Sequence, residues 1–237
     1  MVNRPFVCAF FVLLFFGLWP KDFLFSNGVS RVEDQAGIRF KKYGITYTDP
    51  IKEFHKEGDF GENGFSIEIA LKPSSSQEGF NFILTLHNGN DGSQLLLGQW
   101  RSWLIAMNGD DYDHKRRVKT ISVNSASMSP EIHFITLTTG KDGTNFYFNG
   151  RLVKSTKDLT LQIPYGDKTR LILGNSQYGR HSWRGDVYGQ PDHRNRSSLD
   201  AVPQFIAAGF TVQWRGGRDR DFCGPLGIKA SEIISRP

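Results

Sequence analysis

The 237-residue chain has little cysteine: Cys8 and Cys223 are its two thiols. Cys8 lies inside an apolar N-terminal run, which argues against a structural bridge between them. With no CxxC motif and no Cys/His cluster, a structural zinc site has no ligand set. Long helical periodicities are also few, whereas glycine and aromatic residues, mostly Phe, are abundant, a balance that favours an all-β class. Paired acids are missing as well. A retaining glycosidase needs two carboxylates about 5–5.5 Å apart, as an E-x-D-x-x-E strand would supply. No such pattern occurs, and Glu68 is the only acid inside a well-formed strand of the first half. None of His55, His87, His114, His133, His181 and His193 accompanies a Ser or Cys in a nucleophile motif; His133 reads as a hydrogen-bonded sheet residue. Finally, there is no basic stripe. The net charge is +5, yet the bases are scattered, and the one dense cluster, His114–Arg117, adjoins Asp110, Asp111 and Asp113. Nucleic acid is therefore not expected as a partner.

What is present is strand. Residues 131–155 hold three short apolar runs separated by Lys141-Asp142-Gly143 and by Asn149-Gly150, the pair best suited to φ > 0 at both centres of a type I′ turn. The first run is apolar on both faces, so this meander is expected in the interior of a two-layer structure. Phe65–Lys72 alternates, with Phe65, Ile67, Ile69 and Leu71 on one face. Phe80–His87 reads as a buried strand. Further short strands are expected at 37–40, 44–48, 94–99, 103–107, 118–123, 161–163, 171–174 and 183–189. About a dozen strands at this spacing predict an all-β sandwich or jelly roll.

The two ends differ from this middle. Phe6–Trp19 is an unbroken apolar run of 14 residues, behind Arg4 and the amino terminus. As a helix it would span about 21 Å, at ~1.5 Å per residue. No small-x-small cleavage site follows at the usual distance, so residues 1–27 are expected to form a signal-anchor helix, with a cleaved signal peptide as the alternative. That places the remainder outside the cytoplasm, anchored to the membrane. From Gln190 the pattern is lost. Residues 190–237 read either as a disordered or out-of-frame tail, the favoured reading, or as a segment in which residues 209–215 replace a missing closing strand.

The order FSIEIALKP, FILTLHNG, LLLGQW, HFITLTTGKDGTNFYFNGRLV, LILGNS and WRGDVYG resembles the laminin G-like domains of the concanavalin A-like lectin/glucanase superfamily, over about residues 28–189. The D-G turn followed by the N-G hairpin is its most specific part. The N-terminal anchor with such a domain is also similar to the extracytoplasmic part of some bacterial VanZ-like membrane proteins, although no polytopic helices follow here. The chain departs from the family pattern in three places. Glu131 stands where a Trp is usual, Tyr188-Gly189 where an acidic pair is usual, and the segment after it is not recognisable. The resemblance implies a concanavalin A-like jelly-roll sandwich. It also raises calcium as a possible ligand, for which Asn88–Gly92 and Asn108–Asp111 are the oxygen-rich loops; no complete calcium motif is present, and no other cofactor is expected. Arg184-Gly185-Asp186 spells an adhesion tripeptide, but falls where the family's closing strand has a structural glycine.

Sugar binding needs aromatic faces beside polar side chains that can hydrogen-bond hydroxyls. Trp100, Arg101, Trp103, Asp110, Tyr112, Tyr178, Arg180 and His181 supply both in two loop regions, 99–117 and 175–183; Asp113, Asn175 and Trp183 lie in or beside the same loops. For Trp103 and Trp183 a place in the core is an equal alternative. The expected function is a non-catalytic extracytoplasmic recognition module for carbohydrate or another cell-envelope component. The alternatives are a structural or protein-interaction domain left from a larger membrane protein, or a diverged glycosidase.

Overall fold

A computed structural model describes residues 27–33, 37–51, 54, 64–74, 77–109, 118–124 and 131–188, together with the backbone of 210–214 and 233–234. In chain order the strands are β1 (Val29–Arg31), β2 (Gly37–Phe40), β3 (Thr46–Thr48), β4 (Phe65–Pro73), β5 (Phe80–His87), β6 (Leu95–Trp100), β7 (Trp103–Asn108) and β8 (Thr120–Asn124). They continue as β9 (His133–Gly140), β10 (Gly143–Phe148), β11 (Arg151–Thr156), β12 (Arg170–Leu173), β13 (Gly185–Tyr188), β14 (Phe210–Trp214) and β15 (Ile233–Ile234). They form two antiparallel sheets. The first runs β1-β2-β13-β4-β9-β10-β11, and the second β15-β3-β12-β5-β6-β7-β8. This all-β sandwich is consistent with the jelly roll expected from strand spacing.

The alternation of β4 explains its place. Phe65, Ile67, Ile69 and Leu71 are buried and pack with Leu84, Leu86, Leu95 and Leu97 of the opposite sheet in one core. Each such side chain contributes about 1.5–3 kcal/mol on leaving water. Along one edge β4 pairs with β9; along the other, β13 covers Ala70–Pro73 and β14 covers Phe65–Ile69. The segment offered as a replacement closing strand thus lies in line with β13.

Three expectations change. The meander is not interior: among the described strands β11 ends the first sheet, with Leu152 and Val153 exposed, and Ile132, just ahead of β9, is also exposed. Apolar residues on both faces of a strand do not require two covering layers. The second turn does match, with Asn149 at φ 49° and Gly150 at φ 76°. Residues 161–163 form no strand, although Leu161 and Ile163 are buried. Their backbone is satisfied by side chains instead: Leu161 N–H donates to Thr139 Oγ1 (2.9 Å), and Gln162 N–H donates to Asn108 Oδ1 (2.8 Å). Lastly, the signal-anchor helix and most of the tail fall outside the described residues; among those described, no helix is long and apolar enough to cross a membrane.

Candidate functional site

β5 is buried on both faces for different reasons. Leu84 and Leu86 face the core, whereas Phe80, Phe82, Thr85 and His87 face away from it, the alternation changing phase at the register shift between Phe82 and Leu84. The register carries this outer face across the sheet: Phe80 opposes Trp100, Phe82 opposes Gly98, and Thr85 opposes Leu96. Phe82, Leu96 and Met107 make a second, small apolar cluster there, against Phe80 and Val118.

A loop over residues 175–182 covers part of this face. Its neck is closed by Gly174 N–H to Ile83 O (2.9 Å) and Trp183 N–H to Gly174 O (2.8 Å). Gly174 takes φ 81°, and a Cβ there would lie 2.0 Å from the Phe40 ring, so the turn requires glycine. Asn175 Oδ1 accepts from both Ser176 N–H and His181 N–H, at 2.9 Å each, and so holds the two limbs together. On its return the loop meets β5: Phe82 N–H donates to His181 O (2.9 Å), and the His181 ring stacks on Phe82 with centroids 4.6 Å apart. His181 Nδ1 lies 2.9 Å from Phe80 O, which can only accept, so Nδ1 carries the proton.

The far end of the loop is held by Asp91. Gln177 Nε2 donates to Asp91 Oδ1 (2.5 Å), and the Tyr178 hydroxyl donates to Oδ2 (3.1 Å). Behind Asp91 is buried His87. Gly89 N–H donates to its Nδ1 (2.9 Å), which leaves Nε2 as the protonated nitrogen, donating to Asp91 Oδ1 (2.9 Å).

Between loop and sheet lies a cavity of about 160 Å³, floored by Phe82 and walled by Asp91, Gln94, Ser176, Gln177, Tyr178, Arg180 and His181. Gln94 is a buried residue, and its side-chain amide makes no hydrogen bond among the described residues. The exposed Arg180 guanidinium makes no ion pair among them and lies 6.0 Å from the Tyr178 ring centre. Among the described residues Asp91 is the one carboxylate in the lining, where a retaining glycosidase needs two.

Of the residues expected from sequence, Tyr178, Arg180 and His181 line this cavity. Trp100, Arg101 and Trp103 do not; they form the tip of the β6–β7 hairpin, where Trp100 and Trp103 are directly opposed and are 46% and 37% exposed. The Arg101 guanidinium lies 5.5 Å from the Trp100 ring centre. Because Trp100 opposes Phe80, this aromatic tip shares the cavity's sheet face. Asp110 and Tyr112 lie outside the described residues. Trp183 is core: it is fully buried and donates from Nε1 to Gln99 Oε1 (2.8 Å), while Gln99 Nε2 donates to Arg101 O (2.9 Å). One amide thereby ties the neck of the loop to the hairpin tip. Sequence reasoning placed Asp91 only in a candidate calcium loop and missed Phe82, Gln94, Ser176 and Gln177 as site residues.

The oxygen-rich turn at Asn88–Gly92 is occupied by its own chain. Asn88 Oδ1 accepts from Asn90 N–H and from Ser93 Oγ, Asn90 Oδ1 accepts from Gly92 N–H, and both Asp91 oxygens are engaged as described. This donor set does not fit calcium. Arg184-Gly185-Asp186 is not a displayed adhesion loop: Gly185 and Asp186 are buried, and Asp186 accepts from Arg39 Nε (2.8 Å) and an Arg39 terminal nitrogen (2.9 Å).

A family model described as the concanavalin A-like lectin/glucanases superfamily matches residues 48–188. No curated protein matches the sequence. Among solved structures, the ligand-binding domain of botulinum neurotoxin serotype D in complex with N-acetylneuraminic acid is 16% identical, over 64% of this chain and 37% of that one, with a TM-score of 0.48. The receptor-binding domain of the C/D mosaic serotype is 13% identical over 64% and 37%, with a TM-score of 0.48. The Ruminococcus gnavus IT-sialidase CBM40 bound to α2,3-sialyllactose is 17% identical over 63% and 83%, with a TM-score of 0.40. The chain thus spans little more than a third of the toxin chains it matches.

Proposed function

We propose that this chain, which belongs to the concanavalin A-like lectin/glucanases superfamily, is a non-catalytic recognition module that binds one saccharide unit in the cavity under residues 175–182. The observation that carries this reading is the pairing of a stacked ring floor, Phe82 with His181, with polar groups around its rim. An aromatic face takes the apolar side of a sugar ring, and side-chain amides and a guanidinium take its hydroxyls. Gln94 and Arg180 have hydrogen-bonding capacity to offer. Asp91 uses three of the roughly four acceptor positions of a carboxylate and keeps one for a hydroxyl. The guanidinium favours a sugar that carries a carboxylate. At about 160 Å³ the cavity is smaller than the ~300–1,000 Å³ of drug-sized pockets, which suits one ring and not a chain. Trp100 and Trp103 offer a stacking platform for a following unit.

The single carboxylate among the described lining residues supports binding without hydrolysis. The apolar run Phe6–Trp19 supports a membrane-anchored, extracytoplasmic location, which would put a cell-envelope glycan within reach. A glycan array with the full-length chain tests the reading. Binding of acidic saccharides is expected, weakened at least ten-fold by Arg180→Ala and by Phe82→Ser, with unchanged circular dichroism. No glycan binding by well-folded protein would sink it and favour a protein-interaction domain.

A further inference from the structure

The opposite sheet carries a groove of different chemistry. At the end where β2, β13 and β4 lie side by side, a depression of about 470 Å³ is lined by Arg39, Lys41, Lys42, Lys72 and Arg184, with Asp186 as the one carboxylate among the described residues. Asp186 is already matched. Arg39 grips both its oxygens, at 2.8 and 2.9 Å, and the Tyr188 hydroxyl donates to one of them at 3.2 Å. Lys41, Lys42 and Lys72 make no ion pair among the described residues. Lys42 places its ammonium 5.0 Å from the Tyr43 ring centre. The groove is therefore an open, net-positive concavity with Lys41 and Lys42 at its exposed rim.

The point at which the chain enters the sandwich, at Asn27 and Gly28, gives this charge a partner. Lys41 N–H donates to Gly28 O (2.6 Å), and Asn27 is fixed to Ile45 by two hydrogen bonds, Nδ2 to Ile45 O (2.8 Å) and Ile45 N–H to Oδ1 (3.0 Å). The chain thus joins the sandwich at the rim of the groove. The run Phe6–Trp19 ends only eight positions before Asn27. A chain of that length reaches at most about 29 Å, at ~3.3–3.6 Å per residue. If the apolar run lies in a bilayer, this groove is the part of the sandwich held nearest to the headgroups.

We propose that the groove of Arg39, Lys41, Lys42 and Lys72 docks on the anionic phosphates of lipid headgroups and holds the sandwich in a fixed orientation on the membrane. The proposal rests on the membrane location proposed above. Basic residues close to an anionic bilayer contribute additively, about five-fold in partitioning per lysine. The test compares full-length protein and the variant Lys41→Gln/Lys72→Gln on phosphatidylcholine vesicles and on phosphatidylcholine–phosphatidylglycerol vesicles, by co-flotation over a protein titration. The wild type should prefer the anionic vesicles, and the preference should weaken with salt. The variant should lose about 25-fold on these alone, with glycan binding unchanged as the control for folding. Lysine-dependent binding to anionic vesicles without binding to neutral ones would support the groove and remove the anchor. Equal anionic preference in variant and wild type would overturn the proposal. So would a sulfated polysaccharide that loses binding to the variant while the vesicle ratio does not change, since the groove would then serve a glycan.

Discussion

Asp91→Ala should release the 175–182 loop without unfolding the sandwich. Asp91 receives three hydrogen bonds, from His87, Gln177 and Tyr178, and two of them hold the loop. Each hydrogen bond to an ionised group contributes about 1.5–3 kcal/mol. The side chain is 33% exposed, however, and Gln177 and Tyr178 regain water when the loop lifts, so the sum overstates the loss. About 2–3 kcal/mol is the expected net effect on the closed loop, roughly a 30- to 150-fold shift toward the open form. Native-state hydrogen exchange reads it directly. The Phe82 amide donates to His181 O, and the His181 amide to Asn175 Oδ1; both should lose protection by that factor, while amides of the β4–β9 pairing stay slow. Asp91→Asn should do far less, because its oxygen can serve His87 and Gln177 while its amide faces the Tyr178 oxygen. Unchanged protection at Phe82 and His181 in Asp91→Ala would refute the argument, since the loop would then be held by its neck alone.

Two further perturbations test the frame around the site. Gly174→Ala places a methyl 2.0 Å from the buried Phe40 ring at a φ of 81°, so overpacking and left-handed backbone together should cost about 2–4 kcal/mol, read as a lower urea midpoint at unchanged slope. Asp186 responds to pH: burial pushes its carboxyl up, but the hydrogen bonds and charge of Arg39, with Tyr188 and Lys72 assisting, outweigh this and hold it below the usual carboxylate range. Its pairing therefore stabilises the fold at pH values above the unfolded-state value near 3.8 and is lost as pH falls through the lower folded value. Asp186→Asn should be less stable than wild type at neutral pH, and the gap in urea midpoint should narrow in acid; a gap that stays constant down to strong acid would contradict the pairing.

The parts of this fold that could be read from the sequence are those in which a local pattern and a tertiary environment agree. The alternation in Phe65–Lys72 is legible because one face of β4 meets the core and the other does not. Asn149-Gly150 is legible because few other residue pairs tolerate two positive φ values in succession. The interior place assigned to the meander failed because a strand's own residues say nothing about what lies beside it, and Leu152 and Val153 ended on the last strand of a sheet. Trp183 could not be assigned from composition either. Its burial depends on Gln99, 84 positions earlier, supplying an acceptor for its indole.

The same limit governs the candidate site. Tyr178, Arg180 and His181 stood out because aromatic, cationic and imidazole groups crowd one short loop. Phe82, Asp91 and Gln94 did not, because each looks ordinary where it stands: a strand aromatic, a turn acid, a residue before a strand. They become a site only when the loop crosses the outer face of the second sheet, and that crossing is specified by single atoms far apart in sequence. Gly174 lets the chain turn over Phe40, Asn175 closes the loop on itself, and Asp91 holds its far end. Phe82 takes part in both aspects of this arrangement, its amide anchoring the returning limb and its ring forming the floor on which His181 stacks. A substitution that keeps the β5 backbone but removes the ring, such as Phe82→Ser, therefore takes away the floor and the His181 stacking together while leaving the amide anchor of the returning limb in place.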